Sequence, residues 1–205
     1  MAKRKLRIKL KECLAIIPAR AGSKSIKNKN IVRLGNLPLI AFSINAAKLA
    51  GIKRVIVSTD SKEYAKIAKK YGAEVPFLRP KKFSQDNSTD YDFFDHFFNW
   101  MLKEKLSIPD FMVHLRPTTP LRNPKIIKQA LSKIKKDKSS TSLRSGHKFS
   151  ESPLKWLTKD KKGFAIPLSK NISLEKINSP RQKFEDIYVP NGYVDIIKTN
   201  HFLNK

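Results

Sequence analysis

The sequence predicts an α/β fold of the Rossmann-like type, with a doubly wound and mostly parallel sheet. Two short apolar runs, CLAIIPA (13–19) and KRVIVSTD (53–60), are typical of buried parallel strands. A third strand is predicted in PDFMVHLRPTTPLR (109–122), which ends in a proline-rich turn. Segments with apolar residues at helical spacing separate these strands, giving the order β-α-β-α-α-β-α. This alternation is the pattern of a parallel sheet with helices on both faces.

The helices are predicted from their apolar spacing together with residues that begin or end a helix. Gly51 and Gly72 are plausible helix ends, whereas Ser61 and the pair Asn123-Pro124 are typical helix starts. The third helix is rich in aromatic residues, which are expected in the core rather than in a partner's groove. The four predicted helices cover residues 37–52, 61–75, 90–106 and 123–137.

The pattern changes from about residue 139, where short strand-like pieces and turn signals replace the helical spacing. We predict a small antiparallel excursion from the sheet here, followed by a strand region with a turn at Pro-Asn-Gly in YVPNGYVDIIK (188–198). Residues 12–205 are expected to form a single domain. Residues 1–11 are predicted to be a basic N-terminal arm, for which a frayed terminus is favoured over an added strand.

Composition limits the possible functions. Of 205 residues, 40% are hydrophobic, enough for a core, although the formal net charge is +26. Apolar runs of only a few residues argue against a membrane span, and the first residues lack the apolar part of a signal peptide. Cys13 is the only cysteine, which fits a reducing, cytoplasmic location. The lysines are scattered rather than clustered, so a nucleic-acid partner is less expected than a small anionic substrate.

The loop PARAGSKSIKNKN (18–30) follows the first strand, where open parallel sheets bind ligands. Gly22 and its small neighbours allow backbone N–H groups to approach an anion, and Arg20 offers a planar fork for phosphate oxygens. The glycine spacing matches neither the Walker A loop nor the G-x-G-x-x-G motif. The residues alone therefore leave two interpretations open, a phosphate site and a solvated basic loop.

A series of short motifs resembles the CMP-sugar synthetase family: PARAGSK, then KN, VSTD, LRP, RPTTPLR, PRQ and PNG, in this order from about residue 13 to 200. These cytidylyltransferases activate nonulosonic acids, such as sialic and legionaminic acids, and 3-deoxy-manno-octulosonate. The resemblance implies a nucleotide-diphospho-sugar transferase fold. It also implies that CTP and an acidic keto-sugar react to give a CMP-sugar and pyrophosphate. Mg²⁺ is expected to bind together with CTP. Residues 146–185 correspond to the segment through which the family dimerises, so a homodimer is expected.

The resemblance also implies which residues bind CTP. Arg20 and Lys29 are expected to be catalytic, stabilising charge on the phosphates. Considered by itself, Arg79 would be expected on the surface, and Asp60 would be expected to brace the loop or cap the next helix. The other nucleotide-binding residues implied are Ala19, Gly22, Ser23, Asn30, Arg79, Asp86 and Ser88.

The sugar is expected to contact residues further along the chain. Arg116 suits a sugar carboxylate or N-acyl oxygen, and Arg181 matches the family residue that meets the carboxylate. Thr118 stands where the octulosonate enzymes carry a metal-binding aspartate, which favours a nonulosonic acid. The full set of sugar-binding residues implied is Arg116, Thr118, Arg181, Gln182 and Asn191.

Metal ligands remain unassigned from the sequence. In the family, a D-x-D segment beyond the Pro-Asn-Gly turn holds magnesium, and this chain stops at Lys205 before such a segment, so we expect a truncated C-terminal end. His96 and His114 are expected in the core rather than at a metal. Two alternatives to an active enzyme stay open: a catalytically impaired homologue that binds CTP or sugar, and a basic nucleic-acid-binding protein.

Overall fold

The computed structural model describes residues 13–203 and is built around a five-stranded sheet. The strands of that sheet and of two separate two-stranded sheets are β1 (Cys13–Pro18), β2 (Arg33–Leu34), β3 (Leu37–Pro38), β4 (Arg54–Ser58), β5 (Phe111–His114), β6 (Ser142–Lys148), β7 (Leu157–Lys159), β8 (Ala165–Pro167) and β9 (Tyr188–Lys198). The two-stranded sheets among the described residues are β2-β3 and β7-β8. The α-helices are α1 (Leu39–Leu49), α2 (Lys62–Lys70), α3 (Asp90–Lys103), α4 (Pro124–Lys136), α5 (Leu174–Ile177) and α6 (Thr199–Leu203). The predicted N-terminal arm lies outside the described residues.

The central sheet has the strand order β4-β1-β5-β9-β6. Strand β1 pairs in parallel with both β4 and β5, so that Ile16 lies beside Ile56 on one side and His114 on the other. Strand β9 joins antiparallel to β5, with Asp195 opposite His114. The predicted α/β fold with its parallel strands is confirmed, and the carboxyl ends of β1, β4 and β5 meet at one edge.

The alternating side chains of β1 belong to two hydrophobic clusters, as the two-residue period of a strand requires. Ala15 and Ile17 pack in the cluster formed with helices α1, α2 and α4. Leu14 and Ile16 pack with the phenylalanines of α3, which confirms the core role predicted for this helix. All four side chains are at most 1% exposed. Burial of this kind contributes about 1.5–3 kcal/mol for each large aliphatic side chain.

The predicted helix boundaries are largely confirmed. The Ser61 hydroxyl accepts a hydrogen bond from the Tyr64 N–H at the start of α2, and the Asn123 side chain accepts one from the Lys125 N–H at the start of α4. Gly72 follows α2 with φ of +81°, the left-handed conformation that glycine adopts without strain. Helix α3 begins with a capping box between Thr89 and Asp92.

The predicted turn at Pro-Asn-Gly is wrong, because β9 runs without interruption from Tyr188 to Lys198. Gly192 within it has φ of +63°, a left-handed conformation that glycine adopts easily, yet the chain does not reverse there. We expected a turn because proline, asparagine and glycine favour one locally. Strand β9 lies between β5 and β6 in the sheet, and this pairing keeps the segment extended.

The chain divides into two compact units. The larger contains residues up to Arg144 and from Gly192 onward, and the smaller is Ser145–Asn191. The smaller unit contains the antiparallel pair β7–β8, in the region where the sequence predicted an antiparallel excursion. Within residues 13–203, no helix is long and apolar enough to cross a membrane.

Candidate nucleotide site

A cavity of about 200 Å³ opens at the carboxyl ends of β1 and β5, in the larger unit. Three segments far apart in the sequence form its walls: the loop after β1, the link that leads into α3, and the turn after β5. Four cationic side chains line it, whereas Asp90 is its single acidic lining residue within the described part of the chain. The predicted site residues that line this cavity are Arg20, Ser23, Lys29, Asn30, Arg79, Ser88, Arg116 and Thr118.

The loop after β1 is held in place by side chains rather than by regular secondary structure. The Ala21 N–H donates to Oδ1 of Asp60 at 2.7 Å, so Asp60 braces the loop as predicted. The Asn30 side-chain amide donates to the Arg20 carbonyl at 2.9 Å. Asn30 is 7% exposed. These contacts fix the backbone that presents Arg20 and Lys29 to the cavity.

Arg20 is paired with Asp86, although the sequence assigned both residues to the nucleotide. Its guanidinium lies 2.8 Å from Oδ1 of Asp86, and the Lys24 ammonium lies 2.6 Å from Oδ2. Hydrogen bonds from Lys24 and Arg20 hold the pKa of Asp86 below its ordinary value. Asp86 thus connects the loop after β1 with the segment that leads into α3.

Three other predicted nucleotide residues have different surroundings. Ala19 is fully buried, and its N–H donates to the Ser58 carbonyl at 2.9 Å. Gly22 and Asp86 lie in an open depression next to Arg20 rather than in the 200 Å³ cavity. The predicted contact of these residues with a nucleotide stays a prediction.

Arg79 is almost completely buried, with 5% of its surface exposed, so the expectation that it would be a surface residue is wrong. Its guanidinium carbon lies 5.8 Å from the centre of the Phe93 ring, and its Nε has no hydrogen-bond partner in the described part of the chain. Burial lowers the pKa of Arg79 to about 10, which leaves the side chain charged at neutral pH. A buried cation of this kind favours an anion in the adjoining cavity.

Arg116 lines the cavity with its guanidinium bound to two carboxylates. Its Nη1 donates to Oδ2 of Asp195 at 2.7 Å, and its Nη2 donates to Oδ2 of Asp90. Burial alone would lower the pKa of Arg116, but the two carboxylates outweigh burial and raise it. Arg116 is therefore not an unpaired cation, in contrast to what a simple carboxylate receptor would require.

Arg122 was not singled out from the sequence, yet it is buried beside the site, with 6% exposed. It donates hydrogen bonds to the carbonyls of Arg116, Thr119, Gly192 and Tyr193. The signal that could have identified it is its position as the last residue of RPTTPLR, because a cation at the end of a strand-terminal turn can bind the carbonyls of that turn.

The remaining predicted sugar residues belong to the smaller unit. Arg181 and Gln182 lie in a short 3₁₀ turn and line a pocket of about 350 Å³ within Ser145–Asn191. The Asn191 side-chain oxygen accepts a hydrogen bond from the Ser145 hydroxyl at 2.7 Å. Their predicted contact with a sugar stays a prediction.

His114 packs in the core, as predicted, whereas His96 is only partly buried. His114 is 2% exposed and contacts the rings of Phe93 and Phe94, at 5.3 Å between ring centres. Burial and the nearby arginines lower the pKa of His114 to about 3. His96 lies against Phe77 and is partly buried. Among residues 13–203, no three His, Cys, Asp or Glu side chains converge as metal ligands would.

The fold is that of nucleotidyltransferases. A structure of CMP:2-keto-3-deoxy-manno-octonic acid synthetase complexed with CTP matches 95% of this chain and 77% of its own, with a TM-score of 0.65 and 18% identity. 4-Diphosphocytidyl-2C-methyl-D-erythritol synthase from Anaerococcus prevotii matches 95% of this chain and 78% of its own, with a TM-score of 0.58 and 12% identity. At these identities the likeness concerns the fold alone.

The family is shown by sequence. Residues 14–195 match the cytidylyltransferase family model, and the chain belongs to this family. It is 39% identical over 127 residues to pseudaminic acid cytidylyltransferase of Campylobacter jejuni, covering 62% of this chain and 54% of that protein. It is 34% identical over 203 residues to N-acylneuraminate cytidylyltransferase of Streptococcus agalactiae, covering 94% and 45%. The chain spans about half the length of these curated relatives, and the resemblance to CMP-sugar synthetases is confirmed.

Proposed function

We propose that this protein joins CTP to a nonulosonic acid, producing a CMP-sugar and pyrophosphate. The observation that carries the proposal is the convergence of Arg20, Lys29 and Arg79 on one cavity at the carboxyl edge of the sheet. A nucleoside triphosphate carries several negative charges, and cations held in advance around a small cavity suit it. The names of the curated relatives, for pseudaminic and N-acylneuraminic acids, support the choice of sugar.

The reaction is a displacement at phosphorus. The anomeric hydroxyl oxygen of the sugar forms a bond to the α-phosphorus of CTP, and the bond from that phosphorus to the oxygen bridging it to the β-phosphate breaks. Pyrophosphate leaves with the electron pair, and the hydroxyl proton passes to water. Arg20 and Lys29 would stabilise the charge that develops on the phosphate oxygens, and the braced loop would hold them in position before the substrate arrives.

Mg²⁺ is proposed to enter as part of the substrate, bound to CTP. The described residues do not fit a protein-made metal site, because no three potential ligands among them converge. A magnesium ion on a triphosphate keeps several waters and depends mainly on phosphate oxygens, so such a site is not needed for it to bind with CTP. The chain's own residues then act on phosphate and sugar.

The partner is proposed to be a second copy of the chain, associating through residues 146–185. Several large apolar side chains of the smaller unit are exposed, as a surface that becomes covered on association would be. They are Trp156, Leu157, Phe164, Ile166, Leu168 and Leu174. We place the reaction in the cytoplasm, as expected from the single cysteine.

A second candidate is a protein that binds CTP without turning it over. The missing convergence of metal ligands within residues 13–203 favours it. Such a protein would bind CTP but release no pyrophosphate, whichever sugar is supplied. Measuring CTP binding and pyrophosphate release on the same preparation separates the two proposals.

The test is pyrophosphate release by the purified chain with CTP, Mg²⁺ and, in separate reactions, N-acetylneuraminic, legionaminic and pseudaminic acids. Release that requires both CTP and one of these sugars supports the proposal. Lys29→Ala should abolish it, whereas Lys27→Ala is the matched control, because Lys27 is exposed and lies on the same loop outside the cavity. CTP binding without release supports the second candidate, and neither binding nor release contradicts both.

A further inference from the structure

Arg122 has an unusual set of partners for a buried arginine. Within residues 13–203 its guanidinium forms no ion pair with a carboxylate; instead, its N–H groups donate to four backbone carbonyls and to the Ser43 hydroxyl. The distances include 2.9 Å from Nη1 to the Ser43 Oγ, 2.6 Å from Nη2 to the Arg116 carbonyl and 3.1 Å from Nη2 to the Gly192 carbonyl. A guanidinium has five N–H donors, and five acceptors meet them here.

These acceptors belong to three separate parts of the larger unit. Ser43 lies on α1, Arg116 and Thr119 form the turn after β5, and Gly192 and Tyr193 lie on β9. The turn carries three residues of the cavity wall, Arg116, Pro117 and Thr118. Arg122 itself does not line the cavity. It therefore reaches the site only through the backbone that it binds.

The position of Gly192 depends on the same arrangement. Its φ of +63° is one that other residues rarely adopt, and a Cβ there would lie 3.7 Å from Nη1 of Arg116 and 3.8 Å from the Thr119 hydroxyl. The Gly192 carbonyl accepts from Arg122 in this conformation. The Arg122 side chain thus joins the strand and the turn at Gly192.

A lysine could not replace this function. Its ammonium has three donors on a single nitrogen, whereas the five acceptors surround a planar fork from several directions. An arginine that holds a turn in this way costs desolvation, as the lowering of its pKa by burial to about 10 shows. The buried guanidinium is thus placed, despite its desolvation, at a turn that carries residues of the cavity wall.

We infer that Arg122 is a positioning residue, which holds the turn carrying Arg116 and Thr118 against β9 and α1 and so fixes their side chains toward the substrate. This inference rests on the proposed function for its effect on turnover. Its structural part, the immobilisation of the turn, does not depend on any activity.

The experiment compares the full chain with Arg122→Lys and with the matched control Arg54→Lys, which lies at the start of β4 and pairs with Glu74. Hydrogen exchange is measured on peptides covering residues 115–123 and, as an internal reference, residues 54–60. Arg122→Lys should speed exchange in 115–123 about tenfold or more, because at least two charge-assisted hydrogen bonds are lost, and should leave 54–60 unchanged. Arg54→Lys should leave 115–123 unchanged. Ser43→Ala, which removes one acceptor, should act in the same direction as Arg122→Lys but less.

Kinetics then separate positioning from a general loss of structure. Arg122→Lys should raise the KM for the sugar and lower kcat about tenfold or more while the Kd for CTP stays within about twofold, because Arg20 and Lys29 are held independently. Combining it with Thr118→Ala should cost less than the sum of the two changes, since both act through the same turn. Unchanged exchange in 115–123 overturns the inference. Turnover absent from the unmodified chain counts against the proposed function only, because exchange still decides the role of Arg122.

Discussion

Arg116 and Asp195 are 79 positions apart in the sequence and are joined by a hydrogen bond of 2.7 Å between Nη1 and Oδ2. The side chain of Asp195 is 9% exposed and that of Arg116 is 30% exposed. Asp90 binds the other terminal nitrogen of Arg116 from the more exposed side. The guanidinium at the cavity wall is therefore oriented by two carboxylates, one buried and one near solvent.

This asymmetry predicts unequal effects of removing the two carboxylates. Asp195→Asn should lower the free energy of unfolding by about 1–3 kcal/mol, because a buried charge-assisted bond is weakened. Asp90→Asn should lower it by less than about 1 kcal/mol, as expected for an exposed ion pair. Urea denaturation of the two variants and the unmodified chain measures the difference. Equal losses for the two variants would show that the burial of Asp195 has no energetic role.

Arg79 is expected to serve binding at the expense of stability. Burying the Arg79 cation costs desolvation, so replacing it by an apolar side chain of similar length removes that cost. Arg79→Met should therefore change the free energy of unfolding by less than about 1 kcal/mol while weakening CTP binding tenfold or more. Urea denaturation and calorimetry on the same preparation test this pair of outcomes. A large loss of stability would mean that Arg79 supports the fold rather than the ligand.

The burial of His114 predicts that the free energy of unfolding decreases in acid. Its pKa is about 3 in the folded protein and about 6.5 in an unfolded chain, so between these values the unfolded state binds more protons. Stability should therefore fall as the pH decreases from 6.5 toward 3, by up to about 1.4 kcal/mol per pH unit from this residue.

The groups around His114 define the control for this effect. Its Nδ1 lies 4.0 Å from Asp90 and from Asp195, and Arg116, Arg122 and Arg144 act on it as nearby cations. Since those groups are retained, His114→Leu should remove only the contribution of the imidazole and flatten the decline below pH 6.5. Denaturation curves of both proteins from pH 7 to 4 measure it. Parallel curves would exclude a contribution of His114.

Much of the fold could be predicted because its signals are local. The apolar run of β1, the serine that caps α2 and the Asn-Pro start of α4 each depend on neighbours within a few residues. The rule that parallel strands bind ligands at their carboxyl ends, together with the family motifs, predicted ligand-binding roles for Arg20, Arg79 and Arg116, and all three line one cavity.

What could not be predicted depends on partners distant in the sequence. The pairing of Arg20 with Asp86 spans 66 positions, and the contacts of Arg122 with β9 span about 70. The burial of Arg79 likewise depends on packing against α3. Local preference also failed at Pro190-Asn191-Gly192, where sheet pairing overrides the tendency of these residues to form a turn.

Cations at the carboxyl edge of the sheet are proposed to bind the triphosphate of CTP. Titration calorimetry of CTP with Mg²⁺ against four proteins tests it most directly: the unmodified chain, Arg20→Ala, Lys29→Ala and the exposed control Lys27→Ala. We expect saturable heat for the unmodified chain and for Lys27→Ala, with affinity at least tenfold weaker for the other two. Absence of binding by the unmodified chain, or equal affinity in all four proteins, would contradict it.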